Sequence, residues 1–153
     1  MLDPDRSLPQ LLKQAGYVTY GSGKYWEGDS VAMGFTHGLS QESIRPFREF
    51  VRNDAQTELF SFIDEHAGKA PMFIWWAPLM PHTPHNPPEN FLRMFDPQSI
   101  PIPDYISVEN REEFIKREHL SLAMEAWTDD EIGKLRNKIK ERGEDQNTLY
   151  VFI

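Results

Sequence analysis

The run Phe73-Ile74-Trp75-Trp76-Ala77 constrains this chain more than any other feature. It is apolar at every position, so neither side of the segment suits water. Short runs of this kind, bounded by breakers, read as strands covered on both faces, as in the interior of a parallel sheet. Parallel neighbours need crossover connections of a dozen residues or more, usually helical. The run therefore predicts strands alternating with helices. Pro71 precedes it, and nine of the twelve prolines lie between Pro71 and Pro103. That stretch predicts a long ordered loop after the strand, stiffened by proline. One helical turn is expected in it, at Glu89–Met94.

The rest of the chain supplies the alternation. Ser7-Leu8-Pro9-Gln10 reads as a helix start, with Ser7 as cap and Pro9 early enough that its missing N–H is harmless. Leu8, Leu11, Leu12 and Ala15 would form its apolar face, and Gly16 its stop. Tyr17-Val18-Thr19-Tyr20 predicts a first strand. Gly21 to Gly28 then reads as a Gly-rich loop, and residues 29–46 as irregular. A helix is expected from about Asn53 to His66, burying Val51, Ala55, Leu59, Phe62 and Ile63. Helical periodicity returns from Asn110 to Arg142 with a break near Thr128, and Phe114, Leu120, Ala123, Trp127, Ile132, Leu135 and Ile139 supply its buried stripe. Gly143 ends it. Leu149-Tyr150-Val151-Phe152-Ile153 predicts a third buried strand. The order is that of an α/β fold, a mostly parallel sheet flanked by helices.

Composition narrows the function. The length of 153 residues, with 39% apolar and 26% charged, suits one globular domain. The net charge is −8 and no basic run exists, which excludes a nucleic-acid partner. The chain has no Cys, so disulfides and thiolate metal sites are ruled out, while the compartment stays open. No apolar stretch approaches the ~20 residues of a membrane span. Residues Met1 to Arg6 are too polar for a signal peptide.

In open parallel sheets, ligands bind beyond the carboxyl ends of the strands. Lys24 follows the first predicted strand. His82 and His85, in Met80-Pro81-His82-Thr83-Pro84-His85, follow the second. A Lys and a His converging on one point suit a tetrahedral oxyanion, because both donate hydrogen bonds and both can carry positive charge. The bland alternatives are a solvated loop lysine and histidines satisfied by backbone carbonyls. Spacing alone leaves both sets open. The prolines at 81, 84, 87 and 88 exclude a helix that would align the two histidines for a metal, and no carboxylate accompanies them. Trp75 and Trp76 read as core, and Asp129-Asp130 as solvated helix residues.

Three blocks carry a family resemblance. Gly16-Tyr17-Val18-Thr19-Tyr20-Gly21-Ser22-Gly23-Lys24-Tyr25-Trp26 resembles the second sulfatase signature, Gly-Tyr-x-Thr, three residues, then Gly-Lys-Trp. Residues 8–15 are similar to the helix leading into it. Pro71 to Pro78, followed by Met80-Pro81-His82-Thr83-Pro84, looks like the family's strand and Pro-His-x-Pro turn. Leu122-Ala123-Met124 with the helix after it, and Asp145 to Ile153, resemble the long helix and strand before the family's Asp-Asn-Gly. The blocks stand in family order and span nearly the whole chain. The resemblance implies a partial alkaline-phosphatase-like fold and a parent enzyme that hydrolyses sulfate esters of small molecules or glycans. It implies a formylglycine nucleophile held on calcium or another divalent metal. Lys24 and His82 would then be catalytic and substrate-binding residues on the sulfate oxygens, and His85 a substrate-binding residue at the mouth.

The departures are equally specific. The Cys/Ser-x-Pro-x-Arg motif that yields formylglycine is absent, and Ser43-Ile44-Arg45-Pro46-Phe47-Arg48 is one residue too long and on the wrong side of Lys24. The family's Asp pair and Asp-Asn pair, its metal ligands, are also missing. Trp26 stands where many relatives have His. The expectation is a catalytic domain over residues 1–153 that lacks its nucleophile and metal-ligand segments, with no metal site of its own. Two other readings fit the same residues, a related phosphodiesterase or phosphonate hydrolase and a non-catalytic binding module.

Overall fold

A computed structural model describes residues 7–24, 30, 31, 33–38 and 51–153, without the side chains of 51–55. The chain divides into two compact units, Met1–Leu79 with Leu135–Ile153, and Met80–Lys134.

The first unit opens with helix α1, Leu8–Gln14. The Ser7 hydroxyl accepts from the Gln10 N–H at 3.3 Å and donates to the Met33 carbonyl at 2.6 Å. Of the expected apolar face only Leu12 is half-buried, and the rest is turned outward. Leu8 and Leu11 are about half exposed and Ala15 is exposed, while Pro9 is buried. The reason lies in Gly34, where a Cβ would stand 2.6 Å from the Gln10 nitrogen. The bare glycine backbone draws the Pro9–Gln10 side of the helix inward.

Strand β1, Val18–Gly23, pairs in parallel with β2, Met72–Ala77, in register from Val18↔Met72 to Gly23↔Ala77. Helix α2, Val51–His66, precedes β2. The expected loop at Gly21 therefore begins later. A Cβ at Gly23, where φ is +89°, would collide with the Ala77 carbonyl. Glycine lets the two backbones stay close, so it prolongs the strand rather than ending it. The remainder of that predicted loop, residues 25–28, lies outside the described residues.

Paired residues of a parallel ladder share a face, and successive residues alternate. Val18, Tyr20, Met72, Ile74 and Trp76 accordingly meet Leu59, Phe62 and Ile63 of α2, with Leu135 and Ile139. The Tyr20 and Phe62 rings lie 5.2 Å apart. Tyr20, Leu59, Phe62 and Ile63 are buried, each contributing about 1.5–3 kcal/mol, whereas all of β2 is only half-buried, less than its apolar run leads one to expect. On the opposite face Phe35 stacks on Phe73 with centroids 6.1 Å apart. Residues 34–37 cover the free edge of β1. The Thr36 and His37 N–H groups donate to the Thr19 carbonyl at 3.1 and 3.0 Å, and the Gly21 N–H donates to the His37 carbonyl at 3.0 Å. Covering an edge in this way prevents stray strand addition.

Helix α3, Glu89–Leu92, is the single turn expected within the proline-rich stretch. Helix α4 runs unbroken from Arg111 to Glu141. The helix continues through Thr128 without a break, and the Thr128 hydroxyl donates to the Met124 carbonyl at 2.8 Å. Asp129 and Asp130 are exposed, and Asp130 pairs with Lys134 at 2.8 Å. In the first unit Lys138 and Arg142 donate to Asp64 at 2.8 and 2.6 Å. The Lys138 hydrogen bond, helped by Arg142, holds the Asp64 carboxyl below the usual carboxylate range.

The third predicted strand is not one. Leu149–Ile153 has no ladder partner among the described residues, and Val151, Phe152 and Ile153 are largely exposed. Apolar β-branched composition suits a strand, but only pairing makes one. The sheet of the described residues is therefore two-stranded.

The second unit holds α3, two 3₁₀ turns at Pro97–Ser99 and Val108–Asn110, and α4 up to Lys134. His119 of α4 brings Nε2 to 2.9 Å from the Leu92 carbonyl and 3.1 Å from that of Phe95. Two acceptors require that this nitrogen carry the hydrogen. Phe91 stacks on Trp127 with centroids 6.2 Å apart, and the Trp127 indole donates to Glu131 at 3.2 Å. Ala123 and Met124 of the same helix are buried. Among the described residues no helix is long and apolar enough to cross a membrane.

Candidate functional site

The site residues stand just past the carboxyl ends of the two strands in sequence. Lys24 follows Gly23, and its N–H donates to the Ala77 carbonyl at 3.0 Å, which carries the ladder one step beyond β1. Its own carbonyl accepts from the Trp75 indole Nε1–H at 3.4 Å. The side chain is exposed, and among the described residues no hydrogen bond or ion pair holds its ammonium. The backbone is thus fixed on two sides by β2 while the charge faces solvent. That arrangement suits capture of an anion.

His82 lies in the second unit and is exposed. Its Nδ1 is 2.7 Å from the Thr83 carbonyl, so Nδ1 carries a hydrogen. The neutral ring then offers Nε2 as an acceptor, and Nε2 donates to an anion only in the imidazolium form. The reading of a histidine satisfied by a backbone carbonyl therefore holds for one nitrogen and leaves the other available for chemistry. His85 is half-buried in the same loop. Lys24 belongs to the first unit, and the two histidines to the second.

Among the described residues no group of three or more His, Asp and Glu converges in a way that could hold a metal. The described residues do not fit the divalent ion that the resemblance implies. Two further features escaped the sequence reading. One is the Trp75 contact with Lys24. The other is a histidine pair, His37 and His66, with ring centroids 5.0 Å apart. The His66 ring also packs 4.7 Å from Phe62, and its Nε2 is buried without a hydrogen-bond partner. The position of His66 one turn after Phe62 on the buried face of α2 was the available signal. Among the described residues the pair has no third ligand, and His37 is exposed while His66 is half-buried.

A parallel strand–helix–strand unit with polar residues beyond the strand ends is the ligand-binding arrangement of α/β proteins. The sulfatase family matches residues 2–153, and the chain belongs to that family. A solved structure described as Ps i-CgsB in complex with k-i-k-neocarrahexaose is similar over 93% of this chain, with a TM-score of 0.57 and 17% identity. At that identity the likeness speaks to fold, and it supports a partial alkaline-phosphatase-like architecture. The match spans 38% of that structure's chain. No curated protein matches this sequence.

Proposed function

We propose that this chain is part of the catalytic domain of a sulfuric-ester hydrolase, whose nucleophile and metal ligands lie in other segments. The resemblance supports Lys24 and His82 as the sulfate-oxygen contacts of the parent enzyme, and His85 as a residue of its substrate mouth. The observation that carries the reading is Lys24, with its backbone tied to Ala77 and Trp75 at the end of β1 and its ammonium turned to solvent. An ammonium offers three donors and a full charge to the tetrahedral oxyanion, and stabilises the charge that develops as the ester bond breaks. Imidazolium His82 adds a second donor through Nε2. The oligosaccharide named in the description of the similar structure supports a sulfated glycan as the substrate class.

Titration of the chain with sodium sulfate, followed by NMR, tests the contacts. Weak binding is expected, with Lys24→Ala weakening it about tenfold, the loss typical of one charge-assisted hydrogen bond. Equal affinity in that variant refutes the assignment. The chain by itself is expected not to turn over 4-nitrophenyl sulfate in calcium, because it holds neither a Cys nor a correctly spaced Ser motif. Turnover that disappears in Lys24→Ala would mean that the nucleophile is another residue of this chain.

A further inference from the structure

Gly21 and Gly23 stand two apart on β1, and the register places them beside Trp75 and Ala77. All four residues therefore belong to the same face of the sheet, the one on which Phe35 covers Phe73. Opposite Trp75 the neighbouring strand has no side chain. The Trp75 side chain does carry a donor, the indole N–H. From a backbone position level with Gly21, its Nε1–H reaches the carbonyl of Lys24, further along β1, at 3.4 Å.

From this geometry we infer that Trp75 is a positioning residue for Lys24. The inference rests on the reading of Lys24 as the sulfate contact. The chain leaves β1 at Lys24, and two groups of β2 decide its direction there. The Ala77 carbonyl takes the Lys24 N–H, and the Trp75 indole holds the Lys24 carbonyl. With both ends of one residue tied to the same strand, its Cα–Cβ direction is set relative to the sheet, and so is the region that the ammonium can sweep. Gly23, just before Lys24, has a matching role, because it admits the Ala77 carbonyl that a Cβ would strike. Trp75 touches no reacting atom in this arrangement and acts through Lys24.

The variant Trp75→Phe keeps an aromatic ring on the face but removes the N–H. In the intact chain it is expected to speed hydrogen exchange of the Lys24 amide about tenfold and to weaken sulfate binding about threefold, the lower range for one neutral hydrogen bond. The amide of Ile74, in the middle of β2, should keep its protection, and so should the thermal midpoint. A merely structural role would loosen Ile74 as well. Unchanged exchange at Lys24 overturns the inference, as does equal loosening of Ile74. Should Trp75→Phe fail to fold, the wild-type chain still decides the question, because the bonded Trp75 indole N–H must exchange more slowly than that of free tryptophan. Free exchange there overturns the inference. If sulfate affinity survives Lys24→Ala, the functional reading fails while Lys24 amide exchange in Trp75→Phe still judges the coupling by itself.

Discussion

The two units are held together by different physics. In the first, Tyr20, Leu59, Phe62, Ile63 and Ile139 form a cluster of buried side chains between the sheet and helices α2 and α4. In the second, the proline-rich loop is tied to α4 by a histidine that serves two carbonyls and by one ring stack, and Ala123 and Met124 of that helix are buried. Burial of apolar area is non-directional and large, whereas a net hydrogen bond is directional and modest. Lys24 is mounted on the unit held by burial, and His82 and His85 on the unit held by placed polar contacts. A rigid ladder end suits a fixed charge. A loop stiffened by proline would suit the role proposed for the two histidines.

The largest test of this contrast is Ile63→Ala. Ile63 is fully buried, and the substitution should cost about 2–5 kcal/mol in urea unfolding. A loss below about 1 kcal/mol would mean that the first unit has no tight core. The next is the Tyr20 phenol, which burial pushes up to about 12, with Ser22 acting against the shift and Glu58 adding to it. An unfolded tyrosine ionises near 10, so the unfolded chain releases its proton first. Stability is then whole below about pH 10 and falls as pH rises toward 12, by about 2–3 kcal/mol in all. A phenolate absorbance titration near pH 10 for every tyrosine would remove that effect.

In the second unit, His119→Ala should cost about 1–2 kcal/mol and raise hydrogen exchange around Phe95, since two carbonyls lose their donor. Unchanged exchange would show that the stack of Phe91 on Trp127 suffices. The smallest expected effects fall on the candidate site. Lys24→Ala and His82→Ala should each change stability by less than about 0.5 kcal/mol, because both side chains are exposed. A larger loss from His82→Ala would make it a structural tie rather than a substrate contact. Calorimetry should also detect no micromolar calcium binding to the chain, and one-to-one binding would redirect attention to its acidic residues.

The sequence by itself determined the elements whose signal is local. The Ser7 cap, the turn at Glu89, the buried residues Leu59, Phe62 and Ile63 and the apolar strand at Phe73 all follow from spacing, propensity and breakers. The family was legible too, because its blocks are runs of adjacent residues. What only the tertiary structure decided depends on partners distant in sequence. Gly23 prolongs a strand because the Ala77 carbonyl lies against it, and α1 turns Leu8 and Leu11 outward because Gly34 takes its other side. Leu149–Ile153 stays unpaired among the described residues because no described strand stands beside it. The tie from Trp75 to Lys24 belongs to the same class. Local sequence fixes the dihedral preferences of a segment, but burial and pairing are properties of what packs against it, and that is settled only when the chain closes on itself.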